Sequence, residues 1–179
     1  MSSSTALVIM DMQQGNFDER FPIVASDQLL LVTKMMIQKA RDADIPIIYV
    51  LNDGGPGAID ESGESGWEIH ADIRPEPKDI LVEKKTPDAF HETKLKEILD
   101  KMRIKKLVLV GLQTEFCVDT TCRRGSILGY KIQLVKDGHG TWNSDSLSAE
   151  QIITHHNTVL AGWFVELVSS TDFEFESTT

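Results

Sequence analysis

The chain lacks most of what marks an extracellular, membrane-spanning or nucleic-acid-binding protein. Only two of its 179 residues are cysteine, too few for a disulfide framework. Cys117 and Cys122 lie five apart on one expected helix, about 140° around its axis and more than ~7 Å from each other, so they cannot bridge. Two reduced thiols fit a cytoplasmic protein. Basic residues are scarce: 18 Lys and Arg against 28 Asp and Glu leave a formal net charge of −10. No basic stripe exists to collect phosphates, which argues against nucleic-acid and anionic-membrane partners. KMRIKK at 101–106 is the one basic cluster, and it reads as a helix end, where cations suit the dipole. No apolar run approaches the roughly 20 residues that span a bilayer. The opening MSSSTALVIMDM has no basic n-region and passes straight into a strand, so no signal peptide is expected.

Nucleotide signatures are missing as well. The glycines of DGGPG at 53–57 are turn glycines, with no Gly-Lys-Ser/Thr after them to cradle a phosphate, and no GxGxxG follows the first strand. What is present is an ordinary soluble mixture, 41% hydrophobic and 26% charged, long enough for one domain over residues 1–179 with a full core. Apolar runs alternate with helix-period segments. Strands are expected at 6–10, 45–51, 79–84, 107–111, 130–137 and 163–168. Helices are expected at 26–43 (Ser26 or Asp27 as cap), near 91–102, from Glu115 to about Leu128, and from Ser148 onward. Continuous apolar strands separated by helices call for a parallel sheet covered on both faces. The Gly-, Pro- and Ser-rich stretch 52–79 is too long for an ordinary connection and reads as an active-site loop or lid. The acidic end from Ser170 reads as frayed.

Sites in such sheets form beyond the carboxyl ends of the strands. The residues there are Asp11 after the first strand, Lys84 after the third, and the segment leading to Cys117 after the fourth. An acid, an amine and a thiol thus converge from distant stretches. Thr114 can cap the helix that follows, which sets Glu115, Phe116 and Cys117 at its first three positions. Unpaired N–H groups and the helix dipole there would lower a thiol pKa and favour a nucleophilic thiolate. Asp11 would take the thiol proton and pass it to a departing amine, and Lys84 would keep Asp11 ionised. Cys122 points elsewhere on the helix and reads as packing.

The blocks VIMDMQ, VEKKTPDAFHETKL and LVLVGLQTEFCV, in that order and spacing, resemble the isochorismatase-like cysteine hydrolases, which include nicotinamidases and N-carbamoylsarcosine amidases. The likeness runs from about Ala6 to Val168. It implies a three-layer α/β fold with a six-stranded parallel sheet of order 3-2-1-4-5-6. It also implies Asp11, Lys84 and Cys117 as catalytic groups, a non-proline cis peptide between Leu112 and Gln113, and the Gln113 and Cys117 N–H groups as oxyanion donors. Phe17, Trp67, Phe90 and Phe116 match pocket-lining positions approximately. The family's nicotinamidases hold a metal with an Asp-x-His pair and further histidines. Here the stretch reads Asn52-Asp53-Gly54-Gly55, and His70 and His91 lack ligand spacing, so no metal and no cofactor are expected. A small-molecule substrate and a homo-oligomer, dimer or tetramer, are implied. The leading expectation is a metal-independent hydrolase of a small amide, imide or carbamoyl compound. An ether hydrolase that needs no cysteine and a non-hydrolytic thiol redox or binding protein are the alternatives. Roles for His139, expected in a loop past the fifth strand, and for Asp53 are left open.

Overall fold

In the computed structural model, which describes residues 4–176, six strands form: Thr5–Met10 (β1), Ile47–Asn52 (β2), Ile80–Lys84 (β3), Lys106–Gly111 (β4), Lys131–His139 (β5) and Glu166–Val168 (β6). Four α-helices intervene, Ser26–Asp42 (α1), Leu95–Lys101 (α2), Asp119–Ile127 (α3) and Ala149–Ala161 (α4). The strands pair in parallel throughout, in the order β3-β2-β1-β4-β5-β6. This is the sheet order the family resemblance implies. Among the described residues, no helix is long and apolar enough to cross a membrane.

The period of two along each strand explains why the strands read as unbroken apolar runs. In β1, Leu7 and Ile9 enter one core while Ala6, Val8 and Met10 enter the other. The first core is closed by α1 through Leu29, Val32, Met36 and Ala40. The second is closed by Leu95 and Leu99 of α2, Val118 and Cys122 around the start of α3, and Leu160 of α4. Three layers result.

Several local expectations are corrected. The residue capping α1 is Ala25, in the left-handed region at φ 58, with no side-chain cap, so Ser26 and Asp27 are already helical. The helix expected near 91–102 is regular only over Leu95–Lys101, and the basic run continues through a turn into Lys106 of β4. Ser148, by contrast, closes a full capping box with Gln151 at the start of α4.

The acidic tail is not frayed over its described part. Ser170 is buried and held by Asp137 through both its N–H and its hydroxyl. Lys39 Nζ donates to the carbonyls of Ser170 and Phe173 and pairs with Glu174. Phe175 enters the first core with Phe173 packed beside it. The alternation FEFE explains this, since its apolar positions face the sheet while its acids meet Lys39 and Lys106. Residues 177–179 of that stretch lie outside the described residues. The 52–79 segment is ordered too: it contains 3-10 turns at Ser65–Trp67 and Ala71–Ile73, and it buries Ile69 and Ile73 in the first core.

Candidate active site

Strand register decides which side chains meet. Met10 is level with Val50 on one side and with Gly111 on the other, while Asn52 is level with Lys84. The next residue of β1's chain, Asp11, therefore leaves the sheet between β2 and β4. Its N–H donates to Val50 O at 2.9 Å, and its carbonyl accepts from Asn16 Nδ2 at 2.7 Å. Asp11 is held at φ 50, a left-handed conformation that costs roughly 1–2 kcal/mol and that Asp tolerates better than most residues. Gly111 must be glycine: at φ 120, a Cβ would stand 2.1 Å from Met10 O.

Lys84 lies at the centre, 2% exposed. Its Nζ is 2.8 Å from Asp11 Oδ2, 2.9 Å from Asn52 Oδ1 and 3.2 Å from Cys117 Sγ. Three partners use all three ammonium N–H groups. Burial opposes the lysine's charge, but the Asp11 and Cys117 groups against it prevail and hold its pKa above the ordinary value. Asp11 is 4% exposed, and its Oδ1 has no hydrogen-bond partner. Burial raises its carboxyl despite the opposing pull of Lys84.

Cys117 corrects the expected local chemistry. Burial pushes its thiol up to about 12, with the charge of Asp11 adding to the rise and Lys84 opposing it. The expected lowering at a helix start is overridden by desolvation, so the resting group is a thiol. The helix start also differs. Thr114–Val118 forms a π-helical turn ahead of α3, and the preceding Gln113 makes no side-chain cap. Thr114 does not cap the helix; its hydroxyl lies 2.9 Å from both Gly140 O and His139 Nδ1. The Leu112–Gln113 peptide bond is cis. Around it the Leu112, Thr114, Phe116 and Val118 N–H groups donate to Met10, Gly140 and Gln113 carbonyls, and the Gln113 N–H takes no part in these bonds.

A cavity of about 130 Å³ opens on Asp11, Gln113 and Cys117, and its walls are Asn16, Asn52, Asp60, Leu112 and Trp142. The four expected aromatics are not among its lining residues. Phe90 is buried in the second core, stacked on Tyr130 at 5.7 Å. Phe17 packs on His70, and Trp67 packs against the first core. Phe116 is 52% exposed. The aromatic wall comes instead from Trp142, whose Nε1 donates to Phe21 O at 2.7 Å. Asn52 ends β2 and Trp142 follows the carboxyl end of β5, so the rule that found Asp11 could have found them. Asp60, in the middle of a long loop, carries no such signal.

The two residues left open acquire definite roles. Asp53 is a turn residue: Oδ1 accepts from the Gly55 and Ser62 N–H groups, which hold its carboxyl below the usual range, and Lys85 lies 3.5 Å from Oδ2. His139 ends β5 rather than lying in a loop, and it is buried. Its Nε2 sits 3.0 Å from Asn157 Oδ1, and burial pushes its pKa down, so it backs Thr114 as a neutral ring. The Asp-x-His pair that the resemblance would need for a metal is not assembled, since Gly55 stands two residues after Asp53. Asp53 is committed as above, and His70 Nδ1 accepts from the Asp72 N–H at 3.2 Å.

An isochorismatase domain model matches residues 5–159. The chain belongs to the isochorismatase family. Within the family it is 30% identical over 138 residues to a streptothricin hydrolase of Streptomyces noursei, covering 77% of this chain and 55% of that one. The chain thus spans about half the length of the streptothricin hydrolases it matches. It is 30% identical over 172 residues to the secreted isochorismatase effector Isc1 of Verticillium dahliae, covering 96% of this chain and 90% of that one. Against nicotinamidase 3 of Arabidopsis thaliana the identity is 28% over 158 residues, or 80% and 77% of the two chains. The crystal structure of an isochorismatase family protein superposes with a TM-score of 0.88 at 29% identity, over 94% of this chain and 100% of that one.

Proposed function

We propose that this chain is a cysteine hydrolase that cleaves the C–N bond of a small amide, imide or carbamoyl compound through a thioester. The observation that carries the reading is the position of Lys84 Nζ, 2.8 Å from Asp11 Oδ2 and 3.2 Å from Cys117 Sγ, beside a cavity on which Asp11 and Cys117 open. A thiol pushed up to about 12 attacks a carbonyl only if a base removes its proton during the attack. Asp11 is that base. Its raised pKa makes it a stronger proton acceptor than an exposed carboxylate, and the Lys84 cation keeps it ionised before the transfer.

The steps then follow. Sγ bonds to the substrate carbonyl carbon as its proton moves to Asp11, and the carbonyl oxygen becomes an oxyanion. The Gln113 and Cys117 backbone N–H groups donate to that oxygen. The adduct collapses, the C–N bond breaks, and Asp11 returns its proton to the departing nitrogen. Water attacks the thioester with Asp11 again taking a proton, and the acid product leaves as the thiol re-forms. The named activities of the nicotinamidase relative support a C–N bond as the target. A cavity of about 130 Å³ is well below the roughly 300–1,000 Å³ of drug-sized pockets, which supports a small substrate.

Ammonia release from small primary amides and carbamoyl compounds, and ring opening of cyclic imides to half-amides, test the proposal, with Cys117→Ala as control. Turnover that depends on Cys117, with an acyl mass on the Cys117 peptide after acid quench, is the expected result. Full activity in Cys117→Ala would end the mechanism. Iodoacetamide abolishes this reaction, whereas an ether hydrolase that does not need its thiol would survive it.

A further inference from the structure

The charges around the cavity do not cancel. Asp11 and Lys84 offset each other at 2.8 Å. Asp60 then remains as a second carboxylate on the cavity wall, with no ion-pair partner among the described residues. It is 9% exposed, and its one hydrogen bond is from Asn52 Nδ2 to Oδ2, at 2.7 Å. Gly54 makes room for it, since a Cβ there would stand 2.3 Å from Asp60 Oδ1. Lys84 cannot turn to an incoming anion, because Asp11, Asn52 and Cys117 occupy its three N–H groups. A nearly buried carboxylate without a countercharge is unfavourable, and a ligand cation would relieve it. Trp142 adds an aromatic surface of the kind that attracts cations.

We infer that Asp60 sets the charge of the substrate: the cavity takes a small amide bearing a cationic nitrogen with N–H donors, an ammonium or amidinium, and rejects one bearing a carboxylate. The inference rests on the amide-hydrolase reading for the word amide, but the charge preference stands apart from turnover. Asp60 is a specificity-determining residue here and has no part in bond breaking.

Two measurements test it. In the first, aminoethyl and sulfonatoethyl methanethiosulfonate, a cation and an anion of similar length, modify Cys117 in the intact protein, and mass spectrometry follows the rates. Each rate is divided by that of a free small thiol. The cationic reagent should be favoured by about tenfold or more in the wild type, and Asp60→Asn, which keeps an acceptor for Asn52, should cut the preference to within about threefold of the free-thiol ratio. In the second, β-alaninamide, butyramide and succinamate share a chain length and differ in terminal charge. Their kcat/KM values should fall in that order, with Asp60→Asn compressing the spread through KM. Asp60→Asn also changes the field at Asp11, which moves all three substrates together and leaves their ratios alone. An unchanged reagent ratio in Asp60→Asn, or a wild type that hydrolyses succinamate as well as β-alaninamide, overturns the inference while leaving amide hydrolysis intact. A normal reagent preference with no hydrolysis of any amide overturns the hydrolase reading and leaves the charge preference standing.

Discussion

Cys117 and Cys122 are five residues apart, and both thiols are pushed up by burial. Position on the helix therefore does not separate a reactive sulfur from an inert one. Their surroundings do. Cys122 is completely buried in the second core, in the cluster that holds Val118, Phe90 and Leu134. Cys117 is half-buried, with Lys84 at 3.2 Å, Asp11 beside it, and a cavity on its open side. A carboxylate–ammonium pair within reach and an adjoining cavity distinguish the two sites, rather than a lowered thiol pKa.

That contrast can be broken most severely at the sulfur itself. Cys117→Ala should lower turnover by roughly 10⁴ or more, whereas Cys122→Ala should keep most of the activity and lose about 1 kcal/mol of stability. Ammonia release and denaturant melts of both variants measure the two effects. Lys84→Met comes next. It strands Asp11 as a buried unpaired carboxylate and should cost roughly 3–5 kcal/mol. Adding Asp11→Asn should recover much of the stability and none of the turnover, which separates the pair's structural from its chemical role. A smaller effect belongs to pH. Burial raises the Asp11 carboxyl, and a protonated Asp11 cannot accept the thiol proton. The acid limb of kcat/KM should therefore lie above the ordinary aspartate range, with activity lost as pH falls through it. Mildest of all, iodoacetamide should label only Cys117 in the native protein, and Cys122 should become reactive only on unfolding, as peptide mapping would record.

How much of this was legible beforehand follows from where each property is encoded. The strands were readable as apolar runs because a sheet covered on both faces demands side chains of one kind at every position, as ALVIM shows in β1; their order 3-2-1-4-5-6 came from the family resemblance alone. Asp11, Lys84 and Cys117 were readable because each follows or ends a strand, and parallel register brings such ends together. The chemistry of Cys117 was not, because helix position is local while burial is set by chains far away. Phe90 sits near a motif in sequence yet faces Gly125 and Tyr130 in the second core, a direction that only packing decides. Asp60 depends on the path of the long loop between β2 and β3, for which no periodicity exists to read. The tail misled because its acids outnumber its aromatics, though two phenylalanines at a spacing of two were enough to dock it.

That docking has a consequence for how the molecule is made. Ser170 to Phe175 lie downstream of every strand, yet Phe175 seals the first core alongside α1. On the ribosome, α1 can cover this side of the sheet early, and only the patch that Phe175 fills stays open to solvent and to chaperones until this stretch emerges. Chains stalled just short of this stretch should be the sticky ones.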